Sequence, residues 1–261
     1  MTWWSLLLTG WAAAALVMSA MWLLQRRTGD AGIVDVAWAA GVGVLSVWFA
    51  YGADGLEQRR WLIAALAMIW AVRLAGYLLV RIFRMPEDGR YTQMRADWGD
   101  RAQLNLFWFF QIQASWSALF AAPMLIAAYN PAPLGKWDVV AVAVWLIALS
   151  GEALADRQLH RFRQEPSNKG KVCKDGLWRY SRHPNYFFEW VHWWAYVLLA
   201  WGSPQPWLAL IGPATMLVFL LKITGIPPTE KRALESRGEA YREYQRTTSV
   251  FFPWPPKEST T

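Results

Sequence analysis

The side chains best suited to chemistry are concentrated between Gly176 and Glu189, in the run Gly-Leu-Trp-Arg-Tyr-Ser-Arg-His-Pro-Asn-Tyr-Phe-Phe-Glu. This run combines basic side chains with the amide of Asn185, the carboxyl group of Glu189 and several aromatic rings. Pro184 suits the first turn of a helix, and a helix N-terminus with adjacent cations is a ready anion site. An apolar segment follows at once, and so dense a polar cluster at a membrane boundary is costly unless it binds something. The run therefore predicts a site for an anionic ligand.

Two helical faces carry polar groups that could bind the same kind of ligand. One face consists of Glu152, Asp156, His160 and Arg163, at offsets of 4, 8 and 11, and the other of Asn185, Glu189 and His192, at offsets of 4 and 7. Carboxylates accept hydrogen bonds from ribose hydroxyls, and a guanidinium group binds phosphate in a forked geometry. A solvated helix end is the structural alternative for the first face. Both faces favour a ligand with hydroxyl and phosphate groups.

A third polar stripe lies within an apolar run. Its members, at offsets of 3, 7 and 11, are Trp70, Arg73, Tyr77 and Arg81. An unpaired Arg at such a depth is expensive, so Arg73 needs an acid, a carbonyl group or a ligand phosphate. Asp35 is its predicted partner if the two helices are neighbours. Two roles stay open for Asp35: an acid that lines a cavity, or a carboxylate that complements the helix dipole or forms a structural ion pair.

The elements that must hold these groups are membrane helices. Hydrophobic residues make up 55% of the chain, which contains 20 Trp, far more than an ordinary soluble domain would carry. Apolar runs near the bilayer-spanning length of about 20 residues recur along the sequence. We predict seven spans, at about 3–24, 33–52, 60–83, 106–129, 137–157, 186–202 and 206–225. The predicted fold class is all-α, a single integral membrane domain over 1–261, and we expect the first span to be retained.

Basic residues are distributed unevenly between the two sides of these spans. Loops 25–32, 81–105 and 157–185 and the tail from 222 hold 22 Lys and Arg, whereas the loops of the other side hold 3. The positive-inside rule then places the N-terminus outside and the C-terminus in the cytoplasm. Topology and anionic lipid head groups account for most of the net charge of +7, and because the cations form no single soluble patch we expect no nucleic-acid partner.

Several classes of site lack their sequence signatures. The chain has one Cys and three His, so we expect neither an internal disulfide nor a metal site. The glycine-rich dinucleotide fingerprint, the phosphate-binding P-loop and the nucleophile elbow of serine hydrolases are missing as well. Any nucleotide site must therefore be built from the helical faces described above.

Four stretches together resemble the steroid 5α-reductase family, in its bacterial branch formerly catalogued as a domain of unknown function. They are Asp35-x-x-Trp38, Trp70-x-x-Arg73-x-x-x-Tyr77, Glu87-Asp88-x-Arg90-Tyr91 and Gly176 to Glu189, supported by Glu230, Tyr241, Tyr244, Phe252 and Pro253 in the tail. The resemblance covers about 30–254 and implies a seven-helix fold. In that fold about 130–261 hold NADPH, and a lipid substrate enters among the helices of about 1–129. Sterol reductases share the last stretch, and isoprenylcysteine and phospholipid methyltransferases share it more loosely.

The resemblance also implies which residues bind the cofactor. Asp156 and Arg163 match an acid and an Arg after the fifth span, and Asn185 and Glu189 match the family's Asn-x-x-x-Glu site. Together with the polar faces, the resemblance gives a predicted NADPH-binding set of Arg73, Arg90, Tyr91, Asp156, His160, Arg163, Tyr180, Arg182, His183, Asn185, Tyr186, Glu189, Lys222 and Glu230.

The chain departs from steroid reductases at the residues that activate the substrate. Asp35 stands where they carry a Gln-Glu pair, and Trp70 stands where they carry a catalytic Tyr three residues before an Arg. Trp donates a hydrogen bond but is not an acid. The predicted catalytic set is therefore Asp35, Trp70 and Tyr77, with Tyr91 as a further candidate acid.

The resemblance, taken with these residues, implies an NADPH-dependent reduction of a double bond conjugated to a ketone in a steroid-like lipid of the bilayer. A protonated Asp35, or Tyr77, would donate a hydrogen bond to the developing enolate oxygen in a dry site. Two other classes stay open, an S-adenosylmethionine-dependent membrane methyltransferase and a lipid-binding or transport protein without chemistry. NADPH carries phosphates and S-adenosylmethionine carries none, so the many basic loop residues favour NADPH. We expect an integral protein of the bacterial inner membrane, in contact with lipids. The sequence does not determine its oligomeric state.

The charge asymmetry generates the first testable prediction. Reporter fusions should place the loop 157–185 and the C-terminus in the cytoplasm, because positively charged loops are retained on that side during insertion. Activity of alkaline phosphatase, which needs an oxidising compartment, at a C-terminal fusion would contradict the seven-span topology.

Overall fold

The computed structural model describes residues 1–257 and is built from α-helices. In chain order they are α1 (Trp3–Thr28), α2 (Ile33–Gly52), α3 (Glu57–Arg84), α4 (Gly89–Trp98), α5 (Ala102–Ala128), α6 (Lys136–Gln164), α7 (Pro184–Leu199), α8 (Ile211–Val218), α9 (Ile226–Arg237) and α10 (Glu239–Thr247). A π-helical turn, Phe219–Ile223, links α8 to the segment before α9. No β-strand occurs within the described residues, so the all-α prediction is confirmed.

Six helical segments are long and apolar enough to cross a membrane, by length and composition. They are Trp3–Thr28, Ile33–Gly52, Glu57–Arg84, Gly89–Ala128, Lys136–Gln164 and Pro206–Arg237. The seventh predicted span, 186–202, falls on α7, which has only 16 residues and is shorter than a bilayer-spanning helix of about 20. The structure thus indicates a multi-pass membrane protein, whereas seven spans and their orientation stay predictions.

The chain forms two compact units. Unit 1 comprises Met1–Asp138 and Tyr196–Gly212, and unit 2 comprises Val139–Ala195 with the chain from Pro213 onward. In unit 1, α2 packs closely on α3, because Gly43 leaves room for Ala71 where a Cβ would approach to 2.6 Å. Trp38 then packs edge-on against both Trp70 and Phe120. This aromatic core fixes α2 against α3 and α5.

A buried ion pair closes the end of unit 1 opposite α4. The Arg59 side chain donates to both oxygens of Asp138, at 2.6 and 2.9 Å, and also to the backbone carbonyls of Asn130, Ala132 and Pro133. Removing a charge from water is expensive unless its hydrogen-bonding capacity is satisfied in this way. The clamp ties the start of α3 to the loop that follows α5 and to the first turn of α6.

Unit 2 depends on a close approach of α6 and α7. A Cβ on Gly151 would lie 2.5 Å from the ring of Phe188, so only glycine lets this ring lie flat on α6. The turn after α6 is fixed to the same helix, because Trp178 Nε1 donates to the Ala155 carbonyl and the Leu177 N–H donates to Gln158. These contacts place the start of α7 beside the polar end of α6.

The Gly151 contact generates a prediction about stability. Gly151→Ala should lower the melting temperature by several degrees, because overpacking of a tight contact costs about 1–3 kcal/mol. Gly76→Ala is the matched control, since Gly76 also lies within a helix but a Cβ there meets nothing within 4 Å. That control should be neutral or slightly stabilising. Equal melting temperatures in detergent for the two variants would contradict the proposed contact.

Candidate functional site

The carboxyl group of Asp35 is the centre of a polar cluster in unit 1. Tyr91 Oη donates to Asp35 Oδ1 at 2.8 Å, and Arg90 Nη2 donates to Asp35 Oδ2 at 3.2 Å. Asp35 lies in the first turn of α2, whereas both partners lie in the first turn of α4. The structure therefore pairs Asp35 with α4, where the sequence suggested Arg73 on α3.

Asp88 positions the two α4 side chains that contact Asp35. Its side chain caps α4 by accepting from the Arg90 N–H at 2.9 Å, and it also accepts from the guanidinium groups of Arg81 at 2.5 Å and Arg90 at 3.3 Å. Burial alone would raise the pKa of Asp88, but these hydrogen bonds outweigh it and hold the pKa below its ordinary value. The stability that the cluster supplies is therefore present above a pH of about 4 and is lost as the pH falls through the lowered pKa.

A second polar network holds the neighbouring end of α1. Glu87 accepts from the Ala31 N–H at 2.7 Å and from Arg95 at 3.3 Å, while Arg95 also donates to Gln25 at 2.9 Å. Gln25 is completely buried and donates in turn to Gln103. The sequence reasoning missed Arg95, Gln25 and Gln103. The adjacent acids Glu87 and Asp88 could have indicated this network, because two carboxylates at the start of a helix need separate hydrogen-bond donors.

Exposure separates the roles of Asp35 and Tyr91. Tyr91 is 1% exposed and packs in a cluster with Met18, Leu106 and Phe110, whereas the Asp35 side chain is 23% exposed. Asp35 also lines a small cavity of about 20 Å³ together with Arg81 and Asp88. That volume holds about one water molecule. Asp35 is therefore the accessible acid of this cluster, and Tyr91 is a buried group that orients it.

The other two predicted catalytic residues lie elsewhere in unit 1. Trp70 is fully buried in the aromatic core against Trp38, and Tyr77 is 69% exposed on α3. Neither side chain is a hydrogen-bond partner of Asp35. The sequence grouped Trp70 and Tyr77 with Asp35 on the assumption that α2 and α3 present them to each other. In the structure, the hydroxyl group that donates to Asp35 is that of Tyr91.

The predicted cofactor residues of unit 2 form two groups, and the first is a buried latch around Glu230. Arg182 Nε donates to Glu230 Oε1 at 2.7 Å, His183 Nε2 lies 3.2 Å from the same oxygen, and Gln245 Nε2 donates to Oε2 at 2.8 Å. The Arg182 guanidinium also donates to the carbonyls of Gln245 and Thr248. We call this group the Glu230 latch. It fixes α9 and the end of α10 to the run that begins at Gly176.

Buried hydroxyl groups complete the latch. Tyr244 Oη donates to the carbonyls of Trp178 and Ser181, and Ser181 Oγ donates to the Phe251 carbonyl at 2.9 Å. Burial raises the pKa of Tyr244 above its ordinary range, so this phenol stays protonated and keeps donating. Arg182 and His183, which the sequence presented as cations for an anionic ligand, are therefore occupied in holding the tail.

The second group is an exposed polar face, formed by the end of α6 and the start of α7. Asp156, His160 and Arg163 follow one side of α6 and are exposed. Asn185 Nδ2 donates to Asp156 Oδ1 at 3.1 Å, and its own Oδ1 accepts from the Tyr186 N–H at 3.0 Å. We call these residues the α6–α7 face. They provide an acceptor, an amide and a guanidinium in reach of solvent.

The remaining predicted residues lie around this face or within α7. Tyr186 Oη lies 3.2 Å from Thr229 Oγ1 on α9, and its ring stacks on that of His183. Glu189 accepts at 3.3 Å from Trp193 Nε1, which lies four residues further along α7. Tyr180 and Lys222 are exposed. Within residues 1–257, His, Cys, Asp and Glu side chains nowhere form a group of three suited to a metal ion.

Comparisons with known proteins cover most of the chain. Residues 21–248 match the family described as "Protein of unknown function (DUF1295)". The chain is also 26% identical over 269 residues to "Uncharacterized protein C594.04c" of Schizosaccharomyces pombe, covering 89% of this chain and 75% of the relative. No solved structure matches. The matched region spans both the Asp35 cluster and the Glu230 latch.

The latch generates a prediction that distinguishes it from a surface ion pair. Glu230→Gln leaves Arg182 with its charge uncompensated, so we expect faster hydrogen exchange in residues 241–252 and a melting temperature lower by about 5–10 °C. Glu243→Gln is the control, because the exposed Glu243–Arg246 pair contributes only about 0–1 kcal/mol. Equal exchange of the tail in both variants would show that Glu230 does not hold it.

Proposed function

The chain belongs to the DUF1295 family, and from this premise we propose that it is an NADPH-dependent reductase of a carbon–carbon double bond conjugated to a ketone in a steroid-like lipid. In this proposal it resembles the steroid 5α-reductases and is an integral protein of the bacterial cytoplasmic membrane with seven spans. Its substrate comes from the bilayer. The proposal rests on a resemblance in sequence together with the chemistry of the two polar groups described above.

The observation that carries the proposal is the Asp35 carboxyl group, which accepts from Tyr91 and Arg90 and borders a cavity with room for about one water molecule or one substrate oxygen atom. Reduction of an enone adds a hydride at the β-carbon and leaves negative charge on the carbonyl oxygen. A preorganised donor at that oxygen stabilises the transition state, most strongly where water is excluded. A protonated Asp35 can donate from Oδ2 while Oδ1 still accepts from Tyr91, and the charge of Arg90 then stays paired with Asp88. The proton that completes the α-carbon comes from solvent.

Each residue of the cluster has a distinct part in this chemistry. Asp35 contacts the substrate oxygen and is the proposed catalytic residue. Tyr91 and Arg90 fix the direction of its carboxyl group, and Asp88 fixes Arg90 in turn. Tyr77 is not a hydrogen-bond partner of Asp35, whereas the Asp35 carboxyl group is held in place by Tyr91 and Arg90, so the geometry favours Asp35 over Tyr77 for this role.

The residues of unit 2 fit part of NADPH. When bound, this cofactor supplies the hydride. Asp156 can accept from ribose hydroxyls and Arg163 can bind phosphate, and both are exposed on the α6–α7 face. Asn185 already contacts Asp156 and can present its amide to the same ligand. Arg182 and His183 contact Glu230 and directly precede the first residue of α7. Their proposed role is therefore to position the α6–α7 face, not to contact the cofactor.

The alternative is an S-adenosylmethionine-dependent methyltransferase, and one observation favours it. Two cations that the sequence assigned to phosphate, Arg90 and Arg182, are paired with carboxylates in the structure. The basic residues that remain exposed in unit 2 include several that the sequence offered for phosphate, namely Arg163, Lys169, Lys171, Lys174, Arg179 and Lys222. Because these still outnumber the phosphates of one NADPH, we keep the reductase as the first proposal.

The proposed activity can be tested by following tritium from labelled NADPH into a panel of membrane-soluble enones. We expect transfer by the native protein and a loss of about 100-fold or more in Asp35→Asn, as for removal of a general acid. Asp54→Asn is the matched control, because Asp54 is a highly exposed acid remote from this cluster and should leave turnover unchanged. Near-native turnover in a folded Asp35→Asn protein would remove Asp35 from the mechanism.

Thermal stabilisation distinguishes the cofactors in the same preparations. A ligand that binds the native state raises its stability, so NADPH should raise the melting temperature of native protein and of Asp35→Asn alike. Asn185→Ala should weaken NADPH binding about tenfold, because it removes a directional contact from the α6–α7 face. Stabilisation by S-adenosylmethionine but not by NADPH would select the methyltransferase.

A further inference from the structure

The last turns of α6 present three faces. An inner face of Gly151, Ala155 and Gln158 packs on α7 and on the turn that precedes it. The α6–α7 face, with Asp156 and Arg163, lies about a quarter of a turn away from the inner face. A third face remains on the far side of the helix, and we call it the outer face.

The outer face is exposed along most of α6. At about 3.6 residues per turn it contains side chains that are either apolar or small, namely Val139, Ala143, Leu146, Ile147, Ser150 and Leu154. Val139 is 71% exposed and Ile147 is 60% exposed. Because α6 is long and apolar enough to cross a membrane, such a stripe lies against lipid chains.

Two Arg continue the outer face where its apolar stripe ends. Arg157 follows Leu154 by three residues and Arg161 follows Arg157 by four, and these offsets keep side chains on one side of a helix. Both are exposed, and within residues 1–257 neither side chain forms an ion pair or a hydrogen bond. Like charges at this spacing repel each other and destabilise a helix. An anion between the two guanidinium groups would remove that repulsion.

The position of the two Arg along α6 places them at the level of lipid head groups. Trp137, near the other end of the helix, is 38% exposed, and Lys136 Nζ lies 5.4 Å from the centre of its ring. About 20 residues separate Trp137 from Arg157, which corresponds to about 30 Å along the helix axis. The hydrocarbon core of a bilayer has that thickness, and Trp, Lys and Arg are favoured at its boundaries. The phosphate groups of one leaflet therefore lie beside Arg157 and Arg161.

We propose that the outer face of α6 binds one anionic phospholipid, with its phosphate between the guanidinium groups of Arg157 and Arg161. One acyl chain lies along Ile147 and Leu154. A guanidinium group binds phosphate in a forked geometry, and two of them on consecutive turns can share one phosphate. A phosphatidylcholine head group brings a cation of its own to this pair, so phosphatidylglycerol is the favoured occupant.

The lipid site is separate from the α6–α7 face and does not depend on the proposed reaction. Both faces belong to the same helix end, so a bound lipid would hold the α6–α7 face at a fixed depth relative to the bilayer.

Native mass spectrometry of the full chain in detergent measures lipid binding directly. We expect saturable binding of dioleoylphosphatidylglycerol at concentrations where dioleoylphosphatidylcholine gives little. Glycerol 1-phosphate and NADPH should not displace the lipid, because neither has an acyl chain to lie along α6. Displacement by glycerol 1-phosphate would show a site for free phosphate, and displacement by NADPH would assign both Arg to a nucleotide. Either result, or equal binding of the two lipids, would overturn the inference.

Double variants locate the lipid on α6. Arg157→Gln with Arg161→Gln should weaken phosphatidylglycerol binding about tenfold or more, because it removes two charge-assisted contacts. Arg242→Gln with Arg246→Gln is the matched control, since these two Arg have the same spacing on α10 but are paired with carboxylates of their own helix. Replacing Arg157 and Arg161 by Lys keeps the charge without the fork and should give an intermediate affinity. Phosphatidylglycerol should also raise the melting temperature of native protein and control more than that of the Arg157/Arg161 glutamine variant. Equal affinities of the two glutamine variants would contradict the site.

Discussion

The carboxylate of Glu230 is the interaction on which the rest of unit 2 depends. It lies on α9, yet its partners come from the run before α7 and from the end of α10, so three separated segments meet at two oxygen atoms. The guanidinium group of Arg182 is buried with Glu230 as its charge partner, because an unpaired cation in such surroundings is strongly unfavourable. With Arg182 and His183 buried, Pro184 starts α7 at a fixed point, and the α6–α7 face is presented to solvent. In the polar run from Gly176, the buried side chains of Arg182 and His183 therefore hold the fold together, whereas Asn185 on the α6–α7 face can contact a ligand.

Three charged side chains of unit 1 are largely removed from water and must be paired. The way in which each one is paired indicates where function lies. Arg59 is paired with Asp138 and saturated with carbonyl groups, and Glu87 is enclosed by a backbone N–H and Arg95. The Arg59–Asp138 pair is a closed network, with side chains only 3% and 9% exposed. Asp35 is equally well held, but one side of its carboxyl group borders a cavity. A polar group that is oriented by the protein and still reachable is the arrangement that a catalytic donor requires.

Much of this could be predicted from sequence, because membrane helices have a strong and simple signature. The apolar runs located α1, α2, α3, α5 and α6 closely, and helical offsets correctly put Asp156, His160 and Arg163 on one exposed face. The sequence could not show that α7 has 16 residues, since Gly202 and Pro204 end the apolar run without marking where the helix stops. The partner of Asp35 was also beyond reach, because it depends on which helix start lies beside α2. Arg182 was assigned to a ligand because its carboxylate lies 48 residues further along the chain.

The clamp of Arg59 has a consequence for the way the protein is made. Arg59 precedes Asp138 by 79 residues, so at about 5–20 residues per second the guanidinium group is synthesised about 4–16 s before its carboxylate. During that interval the carboxylate that pairs with Arg59 in the finished protein has not yet been made. The start of α3 can therefore reach its final contacts in unit 1 only after the first turn of α6 has been synthesised. A single ion pair thus sets an order of assembly, in which α3 cannot complete its contacts until the start of α6 has been made.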